Sequence, residues 1–411
     1  MLKSNIFFST VTTMSRLISG FFLIFILARL LTLNNFGEFI YSLVFANLLV
    51  LIIEYGYSLK LSKDTAKNQS DISILTGTAI KVKLLLLIIL IIVLLILGIF
   101  EYPDPTTYKI LFILSISSVF NSFANHFLIP YRSIDRFDVE AKYVFINNVL
   151  LFGIVSLVAY FSRNITAIAL GFLCVRIIYS TITVRRFIAD FGLKSIPVNL
   201  LAELKQTFPY AVHIAVGAMY LNIDTIILRE FVSNSDIGIY QAGMRAMVAA
   251  TLGLEILNSV LIPKLSSLVA EKKDQLIKLS TKFNLLTIMG GIVIALIINI
   301  FSNQLIYLVY GEKFFRLSDY VIYFSIIIFL RYFGVIYGAL LTISDKQKIR
   351  TYGVLFTLLF IIIVDLFVIP TYELYGALYT LIAAHIILNT IYFYFAYKEY
   401  RTSFFNIAYV K

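Results

Sequence analysis

The chain has 411 residues and is 60% hydrophobic but only 14% charged, with a net charge of +11 and a mean hydropathy of +0.92. Soluble domains carry about 25% charged residues, so this composition excludes a soluble globular protein. Apolar stretches of about 20 residues, the length that crosses a bilayer, recur along the chain. Residues 84–97 are apolar on every face, unlike a β-barrel strand. We therefore expect an all-α polytopic membrane protein.

Twelve transmembrane helices are predicted in chain order. They cover residues 5–31, 38–60, 77–100, 108–130, 142–162, 165–187, 209–231, 237–262, 281–309, 318–342, 350–370 and 374–397. The first apolar stretch is too long for a signal peptide and has no small-residue cleavage site after it, so we expect it to be retained. The seven prolines lie in loops, in the central linker or at the ends of spans. Broken-helix substrate sites are therefore not expected.

The distribution of lysine and arginine predicts the orientation. If the N-terminus is cytoplasmic, most of the 34 lysine and arginine residues fall in cytoplasmic termini and loops, among them Arg132, Lys81 and Lys83. Those that fall outside are Arg29, Lys109, Arg163, Arg229, Lys313 and Arg316. The positive-inside rule then places both termini in the cytoplasm. This topology accounts for most of the positive net charge without a nucleic-acid partner.

The longest stretch between spans divides the chain into two halves of six spans. We expect an N-terminal lobe of residues 1–190, a cytoplasmic linker of residues 191–208 with an amphipathic helix, and a C-terminal lobe of residues 209–411. Six spans in each half make an internal repeat parallel, which predicts two six-helix lobes around a central cavity. Short matches that recur about 200 residues apart support this repeat, and they pair Arg29 with Arg229, Gly37 with Gly238 and Lys60 with Lys264.

Four arginines lie inside the predicted spans, where a charge is unfavourable. They are Arg16, Arg176, Arg245 and Arg331. A guanidinium group keeps its proton, and each would cost about 2.5–3.5 kcal/mol at the centre of a lipid-facing helix. We interpret them as substrate-binding residues of a cationic lumen, because the planar fork of arginine binds two oxygens of a phosphate or pyrophosphate. Arg245 is the weakest candidate because it lies nearest the outer surface.

Buried ion pairs are the main alternative for these arginines. The acidic residues available to pair with them are Glu54, Asp224, Glu255 and Asp365. Asp224, Glu255 and His213 are also candidates for ion coupling, because intramembrane titratable groups can exchange protons as a lumen alternates between the two sides. The single cysteine, Cys174, and the three scattered histidines form no metal-binding motif, so we expect no metal and no cofactor.

Several short motifs resemble one known family. Ala28-Arg-Leu-Leu31, Phe36-Gly37 and Glu54-Tyr-Gly56 are similar to the A-R-x-L, F-G and D/E-x-G pattern that opens the Wzx-type polysaccharide-repeat (O-antigen) flippases. These flippases belong to the multidrug/oligosaccharidyl-lipid/polysaccharide (MOP) exporter superfamily. Later segments that resemble the family are Asn222-Ile-Asp224, Ile237-Gly-Ile-Tyr240 and Tyr310-Gly-Glu-Lys-Phe314. The motifs occur in the expected order over nearly the whole chain.

The resemblance implies a transporter rather than an enzyme, with two six-helix lobes around a cationic lumen. Its implied function is to move an undecaprenyl-pyrophosphate-linked oligosaccharide across the bacterial inner membrane by alternating access, for O-antigen (lipopolysaccharide) or other surface polysaccharide synthesis. The implied partners are the lipid-linked oligosaccharide pyrophosphate, membrane lipids and the polysaccharide polymerase machinery. The resemblance does not identify which arginines face the lumen.

Other functions would leave different features in the sequence. An ion-coupled drug exporter of the same superfamily would share the fold but would favour acidic residues in the lumen. A lipid II flippase usually carries two further C-terminal spans. A membrane glycan polymerase or glycosyltransferase would need a large outer loop, and the predicted spans leave none. No Walker A motif occurs, so ATP hydrolysis by that route is not expected. The sequence does not specify the sugar, nor whether transport uses H⁺, Na⁺ or neither.

Overall fold

Helices form almost the whole of the computed structural model, which describes residues 2–100, 102, 104–197, 199–269, 273–402 and 404–405. Within these residues there are fourteen α-helices and two 3₁₀ segments, and there is no strand. Ten helices are long and apolar enough to cross a membrane. The predicted all-α polytopic class is confirmed, while the exact number of twelve spanning helices is not confirmed.

The contacts divide the chain into two compact units, and the first comprises Met1–Ala218. In this unit α5 packs against α7 and α2, whereas α1 packs against α6. The helix that joins the predicted linker to the predicted seventh span, α8, belongs mostly to this unit. The helices of the first unit are α1 (Leu2–Leu30), α2 (Leu33–Glu54), α3 (Tyr57–Lys67), α4 (Ile72–Ile99), α5 (Pro105–Ser133), α6 (Phe137–Ser162), α7 (Ile165–Phe191) and α8 (Leu200–Tyr220).

The second unit comprises Met219–Lys411. In it α13 packs against α14, α11 and α10. Its 54-residue helix α14 is kinked at Glu373 (φ 50°, ψ −127°), just after Pro370. At 1.5 Å per residue α14 would extend about 80 Å, so its two halves correspond to the predicted eleventh and twelfth spans. The helices of this unit are α9 (Ile223–Leu228), α10 (Asn234–Ser266), α11 (Lys273–Ile300), α12 (Ser302–Val309), α13 (Val321–Ile343) and α14 (Gln347–Tyr400).

Three predicted spans are interrupted without a proline at the break. The second is divided at Tyr55–Gly56, the seventh between α8 and α9, and the ninth between α11 and α12. Gly56 has a φ of 78°, and a Cβ at this position would overlap the main chain of Tyr210 and Ala211. Helix breaks in these spans therefore occur without a proline, and at Gly56 the main chain of α8 approaches too closely to leave room for a side chain.

The amphipathic linker helix is present and docks on the first unit. It begins at Leu200 and continues through Pro209 to Tyr220, while Val198 lies outside the described residues. Leu200 and Leu204 pack against a buried cluster of α3 and α4, whose members are Tyr57, Ala79, Val82 and Leu86. Leu200 and Leu204 are therefore covered by protein, whereas Leu201 and Phe208 of the same helix remain 79% and 57% exposed.

Local structure also repeats between the two units. Thr32 caps α2 by accepting a hydrogen bond from the Asn35 amide, and Ser233 caps α10 in the same way through the amide of Asp236. Asp135 and Asp345 both adopt left-handed backbone conformations, with φ of 60° and 56°, two residues before α6 and α14 begin. These equivalent caps and turns support the internal repeat that the sequence predicts.

Candidate anion site and carboxylate pair

Two of the four predicted arginines lie together in the first unit, with a third arginine and one glutamate. Arg16 in α1 and Arg176 in α7 are close enough for their charges to interact. Arg132, near the end of α5, donates two hydrogen bonds to the carboxylate of Glu140 in α6. The Nη2 atom of Arg16 lies 3.4 Å from Oε1 of the same carboxylate. Glu140 therefore draws α1, α5 and α6 together at one point.

Asparagine side chains of α5 accept hydrogen bonds from Arg16 and Arg176. Arg176 donates a hydrogen bond to Oδ1 of Asn121. Arg16 donates to Oδ1 of Asn125 at 3.4 Å, and this oxygen also accepts a hydrogen bond from the hydroxyl of Tyr179 at 3.3 Å. Amide oxygens orient a guanidinium group but do not neutralise it. The positive charge of the cluster therefore remains largely uncompensated.

The charge balance and exposure of this arginine cluster suit an anion. The cluster holds three guanidinium groups and one carboxylate, which leaves an excess of two positive charges, and among the described residues only Arg16 and Arg132 contact that carboxylate. The side chain of Glu140 is 4% exposed, whereas those of Arg16 and Arg132 are 43% and 39% exposed. The carboxylate thus lies beneath the arginines, and their open faces can form bidentate hydrogen bonds with a phosphate group.

The predicted ion-pair partners do not match the structure in this unit. Among the described residues, Arg16 pairs with Glu140, which precedes the predicted fifth span, and not with any of the four acidic residues proposed from the sequence. Arg132 was assigned to a cytoplasmic loop, yet it contributes to the cluster. Lys83 was also assigned to a loop, but it is buried in α4. No sequence signal marked them, because hydropathy does not reveal which helix faces meet.

The two arginines of the second unit occupy different surroundings. Arg331 in α13 interacts electrostatically with Tyr220 and Glu255. Arg245 in α10 has a buried Nε atom without a hydrogen-bond partner, and its charge interacts with Tyr310. Among the described residues, neither arginine forms an ion pair within 4 Å. No hydrogen bond or charge interaction joins the two arginines in that part of the chain.

A pair of carboxyl groups is buried in the second unit. Asp224 in α9 and Asp365 in α14 are 1% and 0% exposed. Oδ2 of Asp224 accepts a hydrogen bond of 2.6 Å from the Tyr240 hydroxyl, and the charges of the two aspartates interact. Two adjacent buried carboxylates cannot both be ionised without a compensating positive charge. Burial of both carboxyl groups therefore favours the binding of a proton or a cation.

The other two ion-coupling candidates are not part of this carboxylate pair. Glu255 in α10 is exposed and interacts with Arg331. His213 in α8 is also exposed. Of the three candidates, the structure brings only Asp224 together with a second carboxyl group. Asp365 lies near the end of its predicted span, 350–370, yet the structure buries it completely.

Comparisons with known proteins fit both the fold and the sequence motifs. The model of a family described as polysaccharide biosynthesis protein matches residues 2–269. The chain belongs to this family. No curated protein sequence gives a significant match.

Solved structures of MOP transporters share the fold of this family member. A structure titled lipid II flippase MurJ, in an inward closed conformation, has a TM-score of 0.72 at 17% identity, covering 95% of this chain and 87% of the other. An inward-facing multidrug resistance MATE family transporter of the MOP superfamily has a TM-score of 0.67 at 12% identity, covering 97% and 98%. A MOP superfamily transporter from Pyrococcus furiosus has a TM-score of 0.58 at 11% identity, covering 95% and 93%.

Proposed function

We propose that this protein is a flippase that moves an undecaprenyl-pyrophosphate-linked oligosaccharide across the bacterial inner membrane by alternating access. The product would be an O-antigen or another surface polysaccharide. The arginine cluster of the first unit carries this proposal, because Arg16 and Arg132 share one carboxylate and have open faces, and Arg176 adds a third positive charge beside them. A pyrophosphate supplies the negative charge that such a cluster lacks. Membership of the polysaccharide biosynthesis family supports a substrate of this class.

Arg331 and Arg245 are proposed as further substrate contacts. Their guanidinium groups have no ion-pair partner within 4 Å among the described residues, so they are available to an anionic group. Arg331 is the stronger of the two, since Arg245 has its Nε atom buried.

The Asp224–Asp365 pair is proposed as the coupling site for H⁺ or a monovalent cation. Either ion would relieve the repulsion between two buried carboxylates. Sealed vesicles distinguish the two ions, because a pH gradient alone should drive transport in one case and a sodium gradient in the other. Transport that is unchanged after both gradients and the membrane potential are collapsed would exclude ion coupling.

Complementation of a flippase knockout tests the anion site. Arg→Ala and Arg→Lys variants at positions 16, 176, 245 and 331 would be scored for surface polysaccharide and for protein level. We expect the Ala variants at 16 and 176 to lose polysaccharide at normal protein level. The matched control is Arg185→Ala, at an exposed arginine of α7, which should retain polysaccharide. Wild-type polysaccharide in all four Ala variants would refute the proposal, and loss of protein would favour structural ion pairs.

A second candidate function is an ion-coupled drug exporter of the same superfamily. The buried Asp224–Asp365 pair favours it, because such a site can couple cation entry to the efflux of another compound. Greater sensitivity of the knockout to cationic dyes, with normal surface polysaccharide, would support this function over the first.

A further inference from the structure

Lys83 is a fully buried lysine in the first unit that takes no part in the arginine cluster's hydrogen bonds. Lys83 is 1% exposed. The Nζ atom donates to the hydroxyl of Ser122 at 2.7 Å and lies 3.4 Å from the carbonyl oxygen of the same residue. It also lies 5.4 Å from the centre of the Phe123 ring. The carboxylate of Glu54, at the end of α2, is 3.9 Å away.

A buried histidine adjoins this lysine. His126 is one helical turn beyond Ser122 in α5, and it is 1% exposed. Neither of its ring nitrogens forms a hydrogen bond within the described residues, and its charge state is coupled electrostatically to Lys83. The ring of Tyr57 in α3 packs edge-on against it at 6.4 Å. The titratable groups that face this site thus come from α2, α3, α4 and α5.

The surroundings of Lys83 compensate a permanent charge only in part. Removing an ammonium group from water costs several kcal/mol, even after a protein relaxes. Strong charge-assisted hydrogen bonds are about 2.7–2.9 Å long, whereas Glu54 lies 3.9 Å away and its side chain is 26% exposed. A lysine can become neutral by releasing its proton, which an arginine cannot do.

We propose that Lys83, Glu54 and His126 form a proton-binding site of the first unit, at which Lys83 releases and regains one proton. The ammonium group becomes an amine, and the Glu54 carboxylate becomes a carboxylic acid. Glu54 then passes the proton to water at its exposed side. Ser122 holds Nζ in place in both states, because a hydroxyl group can donate as well as accept. The site requires neither the proposed substrate nor the Asp224–Asp365 pair.

Tryptophan fluorescence provides a direct test, because the chain contains no tryptophan. A Phe123→Trp variant of the full chain in detergent reports on the charge of Lys83, and fluorescence would be followed from about pH 5 to pH 10. We expect a single-proton transition that disappears in both Lys83→Met and Lys83→Arg. The first variant carries no charge at this position and the second keeps its charge throughout. Glu54→Gln should move the midpoint without abolishing the transition.

A second readout needs no tryptophan. Only three histidines are present, so the ring C–H resonance of His126 can be followed by NMR. We expect this resonance to shift with the Lys83 transition in the wild type and to lose that shift in Lys83→Met. A transition that persists unchanged in Lys83→Met by either method would overturn the proposal. The proposal would also be overturned if proteins that retain Lys83 show no transition by either method. Lys83 would then belong to a permanent ion pair.

Discussion

Replacement of Glu140 by glutamine tests how the arginine cluster is held together. The substitution keeps the shape of the side chain but removes the carboxylate that Arg132 and Arg16 share. Breaking a fully buried pair costs about 3–5 kcal/mol, and an exposed pair contributes about 0–1 kcal/mol. Glu140 is buried while both arginines are about two-fifths exposed. We therefore expect Glu140→Gln to reduce the free energy of unfolding by about 1–3 kcal/mol.

A double-mutant cycle isolates this interaction from other effects of the substitution. Arg132→Met alone leaves Glu140 with the longer contact to Arg16. The double variant, Glu140→Gln with Arg132→Met, removes both charges of the Arg132–Glu140 pair. Denaturation in detergent would give the unfolding free energies of the four proteins. We expect the double variant to lose about 1–3 kcal/mol less than the sum of the single losses.

An exposed ion pair of the same region provides the control for this cycle. Arg136 and Asp138 are 51% and 44% exposed, with a 3.0 Å contact. Asp138→Asn should change the unfolding free energy by less than about 1 kcal/mol. If the cycle for Glu140 and Arg132 gives a coupling no larger than that of this exposed pair, Glu140 does not hold the cluster together.

Two further substitutions test the packing of the interrupted helices and the carboxylate pair. Gly56→Ala should lower the unfolding temperature markedly, because Gly56 has a φ of 78° and no room for a Cβ; Gly217→Ala, with nothing within 4 Å of its Cβ, should have no such effect. An unfolding temperature equal in the two variants would argue against the tight approach of α8. Tyr240→Phe removes the hydrogen bond to Asp224 and should cost about 1.5–3 kcal/mol, whereas Tyr310→Phe removes one to a neutral carbonyl and should cost about 0.5–1.5 kcal/mol. Equal losses in denaturant unfolding would mean that Asp224 carries no charge when it accepts this bond.

Composition and helical periodicity were sufficient to predict the fold class and the first two members of the cluster. A single charge inside an apolar segment is visible in a short stretch of sequence, which is why Arg16 and Arg176 could be selected. The sequence could not predict in the same way which side chains meet them in the structure. Arg16 and Glu140 are 124 residues apart, and their contact depends on how α1 and α6 are rotated against each other.

Helix breaks illustrate the same division. The sequence rule relies on proline, yet α2 ends at Glu54 without one, just before Gly56, where the main chain of α8 leaves no room for a side chain. Pro209, in contrast, lies within α8 without ending it. A sequence rule describes the conformational preference of one residue. Where a helix breaks also depends on the helices that pack against it.

The sequence by itself determined that the chain is a helical membrane protein, where its charges enter apolar segments, and which family its motifs resemble. Those properties are sums over neighbouring residues, and they need no knowledge of contacts. Only the tertiary structure decided that Glu140 lies beneath the arginines, that Asp224 faces Asp365, and that Lys83 is buried. Each of these depends on the rotation of a helix about its axis, and a rotation by one residue would turn the charged group toward a different neighbour.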